Sequence, residues 1–589
     1  MCGIFGYVGA ERDIAPEILD ALRALEYRGY DSWGIAVAAD GGIAVQKETG
    51  KIASARADLP LSTRGFGHTR WATHGGVTQR NAHPHLDCTG RVSVIHNGII
   101  DNFRALRSEL ESRGHQFRSE TDSEVVAHLI EECVDEGCSL LHATQKAFAR
   151  LEGLNAVIAM DAASNELVAT KQMSPLIAGI GDDGNVTIAS DHVALQPFAS
   201  QVHYIEDDQI LRIRPQSIEV YNRETLQPLD TSLVPLPVDE RDLDLNGHPH
   251  YMSREMAEQP DVLERLVSEA EPAIRELAAA IEESYGTFLV GCGTASYAAL
   301  TGSYLFSRVA AHHVNFVVGS EFKYHEHFLR EKSLVLALSQ SGETADIVEA
   351  MHAARTHRSR LGALVNVKNS TLDRMVDLRV HLNAGPEQCV LSTKAYTAKV
   401  AVLLMTAYTL AGRFQDGQQL VRNAAAGLRG MLEPAWIDQV RDTAIRIRDA
   451  EHMFVIGRGL SYPTALEAAL KIKEVSYVHA EGFAGGELKH GVIALVTDGT
   501  PCVVYAPSDE TRADILSGAM ELKSRAGFMI GIGSEPDDVF DIFLETPDVG
   551  DASPLVHALP AQMLGYHLAL LRGYDPDKPR NLAKSVTVK

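Results

Sequence analysis

The sequence predicts a multidomain α/β protein on three observations. Its 589 residues exceed what one hydrophobic core organises, and one domain per roughly 150 residues gives three to four units. Its second half runs twice through a strand, a glycine turn and a helical pattern in the same order. Its first third sets three polar clusters beside apolar segments that read as strand ends or helix starts.

The chain opens Met1-Cys2-Gly3-Ile4-Phe5-Gly6. Removal of Met1, which a small second residue permits, leaves a thiol and a free α-amine on one residue. That amine titrates at roughly 7.7 to 8.0, so near neutral pH it takes the thiol proton directly or through one water. Taken alone, Cys2 is equally an incidental cysteine near a frayed start. The polar clusters are Tyr27-Arg28-Gly29-Tyr30-Asp31-Ser32, then His68-Thr69-Arg70-Trp71-Ala72-Thr73-His74-Gly75, then His96-Asn97-Gly98. The third follows the β-branched run Val92-Ser93-Val94-Ile95, so Asn97 and Gly98 lie at a strand end. There an amide side chain and the next backbone NH face one point as an oxyanion hole. Ser119-Glu120-Thr121-Asp122-Ser123-Glu124 precedes an apolar helical pattern, which on its own makes Asp122 only a cap.

Residues 221–260 hold Pro235, Pro237 and the charged run Asp239-Glu240-Arg241-Asp242 with little periodicity, and read as a linker. Beyond it, Thr287-Phe288-Leu289-Val290-Gly291-Cys292-Gly293-Thr294 aligns with His452-Met453-Phe454-Val455-Ile456-Gly457-Arg458-Gly459, and residues 334–347 align with 502–515. Continuous apolar strands joined to amphipathic helices imply parallel sheets covered on both faces. Two tandem α/β domains are expected, over 270–416 and 440–575.

In the first repeat, Ser339-Gln340-Ser341-Gly342-Glu343-Thr344 at a strand's carboxyl end presents hydroxyls and backbone NH groups to a phosphate. Gly293-Thr294 and Leu391-Ser392-Thr393 add two similar turns. Helix capping explains any one such loop equally well, but not three. The second repeat has Ala506-Pro507-Ser508-Asp509-Glu510 instead, with carboxylates where a phosphate would sit. Its helical segment 465–474 places Glu467, Lys471 and Glu474 on one face, a pattern that alone is a solvated ion-pair stripe.

Composition narrows the function. Lys+Arg 54 against Asp+Glu 78, a net charge of −24, argues against a nucleic-acid backbone or an anionic membrane as partner. Seven cysteines without a CxxC pair indicate neither a disulfide framework nor a zinc ribbon, and fit a reduced cytoplasm. The His83-Pro84-His85 and His248-Pro249-His250 pieces read as turns or linkers, and no metal is expected. The longest apolar stretch, 400–412, is too short to span a bilayer and reads as a buried helix.

Together these N-terminal residues resemble the glutaminase domain of the class II, N-terminal-nucleophile amidotransferases. Run by run, the chain is similar to the glutamine:fructose-6-phosphate aminotransferase (isomerising) family to its last residue. The resemblance implies an αββα glutaminase domain over 2–220, two SIS (sugar isomerase) domains over 270–416 and 440–575, and a tail, 576–589, over the sugar site. It implies that Cys2 attacks the glutamine amide, that Asn97 and Gly98 hold the oxyanion, and that Arg70 and Asp122 take the α-carboxylate and α-ammonium. Thr73 and His74 line the same pocket, and Trp71 gates ammonia passage toward a second site; read locally, Trp71 is ordinary core and His74 a loop histidine.

For the sugar, the resemblance implies that Thr294, Ser339, Gln340, Ser341, Thr344 and Ser392 hold the phosphate end, with Glu467 beside them. Glu474 moves a proton between C1 and C2, Lys471 acts near the same atoms, and Lys584 forms a Schiff base. His490 assists ring opening from the partner of a homodimer. Ala295 departs from the family, which mostly has serine there; the missing hydroxyl is absent or supplied by Ser296. The implied reaction needs no cofactor: glutamine and fructose 6-phosphate give glucosamine 6-phosphate and glutamate, the first step toward hexosamines. An amidotransferase for another acceptor is disfavoured by Lys471, Glu474, His490 and Lys584. A sugar-sensing regulator is disfavoured by a nucleophile where a DNA- or partner-binding module belongs.

Overall fold

The computed structural model describes residues 2–39, 41–53, 55–237 and 244–587. Met1, the run Asp239-Glu240-Arg241-Asp242 at the heart of the expected linker, and Val588 and Lys589 lie outside the described residues. The chain divides into two units, 1–240 with 585–589, and 241–584.

In the first unit the strands are β1 (Gly3–Arg12), β2 (Ser32–Ala39), β3 (Gly42–Thr49), β4 (Ser62–Arg70), β5 (His85–Leu86), β6 (Val92–Gly98), β7 (Asn155–Asp161), β8 (Leu167–Gln172), β9 (Ile177–Ile180), β10 (Val186–Ala189), β11 (Gln201–Tyr204), β12 (Gln209–Arg214), β13 (Ser217–Asn222), β14 (Pro228–Leu229) and β15 (Val234–Pro235). They form two sheets, in the orders β15-β11-β9-β10-β1-β4-β2-β3 and β14-β13-β12-β8-β7-β6-β5. Alternation along each strand decides the layers, because successive side chains leave a strand on opposite faces. Ile4, Phe66, Ile158 and Leu211 meet between the sheets. Phe5 and Trp33 face the other way, onto Ile18 and Leu22 of the helix Ala15–Ala24. Val94 and Val157 face Leu110, Val126 and Ile130 of the helices Phe103–Ser112 and Glu124–Asp135. The result is the four-layer αββα arrangement that the resemblance implied.

The stretch 221–260 is not irregular throughout, which corrects the linker expectation. β14 pairs with β13 through Val220 and Leu229, and β15 pairs with β11 through Val202 and Val234. Both are two-residue edge strands carrying a proline, too short to show a period and confined by that proline to a sheet edge. Tyr251–Ala257 and Gln259–Glu269 are already helices of the second unit.

The second unit has strands β16 (Gly286–Gly291), β17 (Val314–Val318), β18 (Ser333–Ser339), β19 (Arg360–Val365) and β20 (Leu378–His381), then β21 (His452–Gly457), β22 (His479–Ala484), β23 (Pro501–Tyr505), β24 (Phe528–Gly533) and β25 (Ile542–Glu545). The sheets run β17-β16-β18-β19-β20 and β22-β21-β23-β24-β25, and every pair is parallel. Identical strand order shows that the sequence repeat is one fold used twice. In such sheets the chain leaves in opposite directions from the first and third strands of the order 2-1-3-4-5, which opens a crevice at their carboxyl ends. In the first repeat that point lies between β16 and β18, where the Gly293-Thr294 and Ser339–Thr344 loops begin. The helix Lys394–Leu410 is buried almost throughout, as the apolar run predicts, and its core contacts extend over both repeats.

Candidate active sites

Pairing of Gly3 with Thr69 sets the start of β1 against the end of β4. Cys2 Sγ there accepts a hydrogen bond from the Trp71 NH at 3.3 Å, and the Gly3 NH donates to Thr69 Oγ1 at 3.1 Å. Burial pushes the Cys2 thiol pKa up, while the Trp71 NH and the Arg70 guanidinium oppose that rise. With its pKa raised above the ordinary thiol value, Cys2 is protonated near neutral pH, so any nucleophilic use of it needs a base beside the sulfur.

β6 delivers Asn97 and Gly98. Asn97 Nδ2 donates to the Cys2 carbonyl at 3.1 Å, and Asn97 Oδ1 accepts from His68 Nε2 at 3.1 Å. His68 Nε2 also lies 3.0 Å from the His96 carbonyl, so that nitrogen carries the proton, and burial holds the ring neutral by lowering its pKa to about 3. His68 thereby fixes which way the amide faces, with its NH2 toward Cys2. Gly98 has φ of 138°, and a Cβ there would stand 1.9 Å from the Leu154 carbonyl oxygen, so only glycine fits.

Arg70 is buried, and its guanidinium donates to the carbonyls of His74, Gly75 and Gly76, which curls that loop around it. Thr73 is exposed on the loop, and His74 packs edge-on against Phe103 with ring centroids 5.0 Å apart. Trp71 is half-buried and meets Tyr30 edge-on at 5.5 Å, so it is not ordinary core. Asp122 is no helix cap: Ser123 precedes the helix Glu124–Asp135, while buried Asp122 accepts the Ile100 NH at 2.9 Å. The first polar cluster also reaches this place, since Arg28 Nε donates to the Cys2 carbonyl at 3.3 Å.

The second site forms on the helix Ser461–Ser476. Lys471 Nζ stands 2.7 Å from Glu474 Oε2 and 3.7 Å from Glu467 Oε1. Lys471 and Glu467 are buried, which excludes a solvated stripe. Burial alone would lower the Lys471 pKa, but the two carboxylates reverse it and keep the amine charged. Burial pushes Glu467 up to about 8 against that same cation. Thr294 Oγ1, from the first repeat, donates to Glu467 Oε1 at 3.3 Å, so the switch-point loop of one repeat touches the acidic helix of the other. Lys584 Nζ lies 2.7 Å from Glu387 Oε2 and 3.5 Å from the Leu391 carbonyl, beside the turn that holds Ser392.

The loop Ser339–Thr344 is shaped by its own hydroxyls: Ser339 Oγ accepts the Gly342 NH at 2.9 Å and Ser341 Oγ accepts the Glu343 NH at 3.2 Å. The Gln340 carbonyl accepts the Asn366 NH, and Thr344 immediately precedes the helix Ala345–Thr356. Ser392 Oγ and Thr393 Oγ1 are buried without a hydrogen-bond partner among the described residues. Ser296 Oγ donates to the Gly293 carbonyl at 2.7 Å. In the second repeat the matching cleft is lined by Asp509, Glu510, Asp548 and Asp551 with Arg308. His490 is exposed at the end of the turn Gly485–His490. The tail divides: residues up to Lys584 belong to the second unit, and 585–587 to the first.

A family model described as a glutamine amidotransferase domain matches residues 68–197, and the SIS domain model matches 281–408 and 446–572. A curated protein of Pyrococcus horikoshii named glutamine–fructose-6-phosphate aminotransferase [isomerizing] is 40% identical over 604 residues, covering 100% of both chains. One of the same name from Thermus thermophilus is 40% identical over 611 residues, again covering 100% of both. The chain belongs to the glutamine–fructose-6-phosphate aminotransferase [isomerizing] family. Among solved structures, the C-terminal domain of glucosamine-fructose-6-phosphate aminotransferase from Francisella tularensis is 31% identical with a TM-score of 0.54, covering 57% of this chain and 100% of that one.

Within this aminotransferase family member, three charged residues of the second unit escape a reading by motif. Glu387 accepts the Thr393 NH at 2.9 Å and the Ala395 NH at 3.2 Å. Burial works to raise its pKa, but Lys584, Lys399 and those donors outweigh it and hold it down at about 2. Glu255 faces Glu387, and burial with that like charge pushes it up to about 8. Lys399, buried inside the helix Lys394–Leu410, is pulled down to about 8 by desolvation. The one available signal was a lysine inside an otherwise apolar helix, since a buried amine needs nearby acids.

Proposed function

We propose that this chain transfers the amide nitrogen of L-glutamine to D-fructose 6-phosphate and isomerises the product, giving D-glucosamine 6-phosphate and L-glutamate. The observation that carries this reading is the row Glu467, Lys471 and Glu474, its first two members buried, in the same chain as the Cys2–Asn97 site, since glutamine hydrolysis needs only the latter. Cys2 passes its thiol proton to its own α-amine and attacks the glutamine amide carbon. Asn97 and the Gly98 NH receive the oxyanion, ammonia leaves, and water hydrolyses the thioester. Arg70 and Asp122 take the α-carboxylate and α-ammonium, with Thr73 and His74 beside them. Trp71, whose NH already binds Cys2 Sγ, gates the departure of ammonia.

The sugar phosphate sits at the loops of Thr294, Ser339, Gln340, Ser341, Thr344 and Ser392. Lys584 forms an imine with the open-chain ketose, ammonia replaces that lysine at C2, and Glu474 takes a proton from C1 and returns it at C2. Lys471 stabilises the negative charge that develops across C1 and C2 and their substituents. The exposed position of His490 supports a homodimer in which the partner subunit's His490 assists ring opening. All seven cysteines are free, which supports a reducing cytoplasm, and among the described residues no helix is long and apolar enough to cross a membrane.

Lys584→Arg tests the sugar half. It keeps the charge beside Glu387 but cannot form the imine, so aminosugar formation falls below detection while glutamate release continues. Aminosugar formed at the unaltered rate would remove Lys584 from the reaction.

A further inference from the structure

Outside both sites, the first unit gathers Cys88, His115, His128 and Glu131, whose donor atoms all lie within 4.8 Å of one another. We propose that these four residues bind one zinc ion as a structural site in the glutaminase unit. Cys88 Sγ lies 3.6 Å from His115 Nδ1 and 3.6 Å from His128 Nδ1, and both ring nitrogens lie 2.9 Å from Glu131 Oε2. Tetrahedral zinc with Zn–S near 2.3 Å and Zn–N near 2.0 to 2.1 Å separates its donors by about 3.3 to 3.6 Å. The sulfur-to-nitrogen distances already match, and the carboxylate oxygen lies a few tenths of an ångström inside the tetrahedral spacing from each ring nitrogen.

The surroundings are those of a metal site as well. The outer nitrogen of each ring lies near a carboxylate: His115 Nε2 is 3.4 Å from Glu132 Oε1, while His128 Nε2, 3.8 Å from Glu124 Oε1, is beyond hydrogen-bond reach of it. Such outer carboxylates orient imidazoles and raise their basicity toward a metal. The Gln116 NH points at Cys88 Sγ from 3.5 Å, a donor that favours thiolate, and Glu131 Oε1 is occupied by the Cys88 NH at 3.2 Å, leaving Oε2 as the single ligand oxygen. One thiolate, two imidazoles and one carboxylate favour zinc over the hard cations, and four protein ligands leave no open position for catalysis.

The ligands come from the turn after β5, the connection between two helices, and one face of the helix Glu124–Asp135, where His128 and Glu131 stand one turn apart. No contiguous ligand spacing exists, which is why the sequence led to the opposite expectation. The ion would pin the connection 113–123, whose end carries Asp122.

The test uses the full-length protein, stripped with chelator and titrated with Zn²⁺ against a chromophoric competitor, then with Co²⁺. One zinc per chain is expected, together with a thiolate-to-cobalt charge-transfer band in the near ultraviolet. The band persists in Cys2→Ala, is lost in Cys88→Ala, and is weakened with lower zinc affinity in the gentler His115→Gln. Absence of stoichiometric zinc binding by the wild-type chain, or a cobalt–thiolate band that survives Cys88→Ala, overturns the proposal. Because zinc binding only to the folded state stabilises it, the unfolding midpoint also rises with zinc in the wild type and not in Cys88→Ala.

Discussion

Cys2→Ala abolishes glutamine hydrolysis and glutamine-dependent amination, by at least about 10⁴-fold, because no other group replaces a nucleophile that carries its own base. The same variant is expected to retain some ammonia-independent isomerisation of fructose 6-phosphate, since Glu474 and Lys471 belong to a different unit with its own core. The buried contacts at Cys2 also change little: the Gly3 NH still reaches Thr69 and Asn97 still reaches the residue-2 carbonyl. Glutamate release and phosphosugar spectra, measured on one preparation, check both halves. Equal loss of the two activities would contradict independent sites.

Lys471→Ala has the largest effect on the sugar half. The lysine side chain is 1% exposed and stands between Glu467 and Glu474. Removing it leaves one carboxylate fully buried and another partly buried with no cation between them. Breaking a buried ion pair from one side costs roughly 3–5 kcal/mol, so the second unit loses stability along with sugar turnover. Glu474→Gln separates the two effects. Its side chain is 20% exposed, so the fold survives, while loss of the positioned base lowers isomerisation by about 10²–10⁴-fold. Denaturant unfolding beside phosphosugar assays checks this; a stable Lys471→Ala protein with unaltered sugar turnover would contradict the role of the row.

What was legible in the sequence was whatever lay close along the chain. Asn97 and Gly98 end a strand, Glu467, Lys471 and Glu474 share one helix face, and the repeated strand–turn–helix segments became two sheets of the same strand order. What escaped was assembled by tertiary packing. His68 stands in a quoted cluster, yet its task of orienting Asn97 depends on β4 lying against β6. Glu387, Glu255 and Lys399 are separated by long stretches and meet only when helices close over the sheet. β14 and β15 are too short for any period to show. Cys88, His115, His128 and Glu131 follow no ligand spacing because three segments contribute to one point.

Nitrogen labelling follows transfer between the two sites directly. The protein is incubated with fructose 6-phosphate and glutamine carrying heavy nitrogen in its amide, and the sugar product is read by mass spectrometry. The expected product is glucosamine 6-phosphate with the label in its amino group. Glutamate accumulating without any labelled aminosugar would contradict it, leaving the Cys2 chemistry intact and the acceptor wrong.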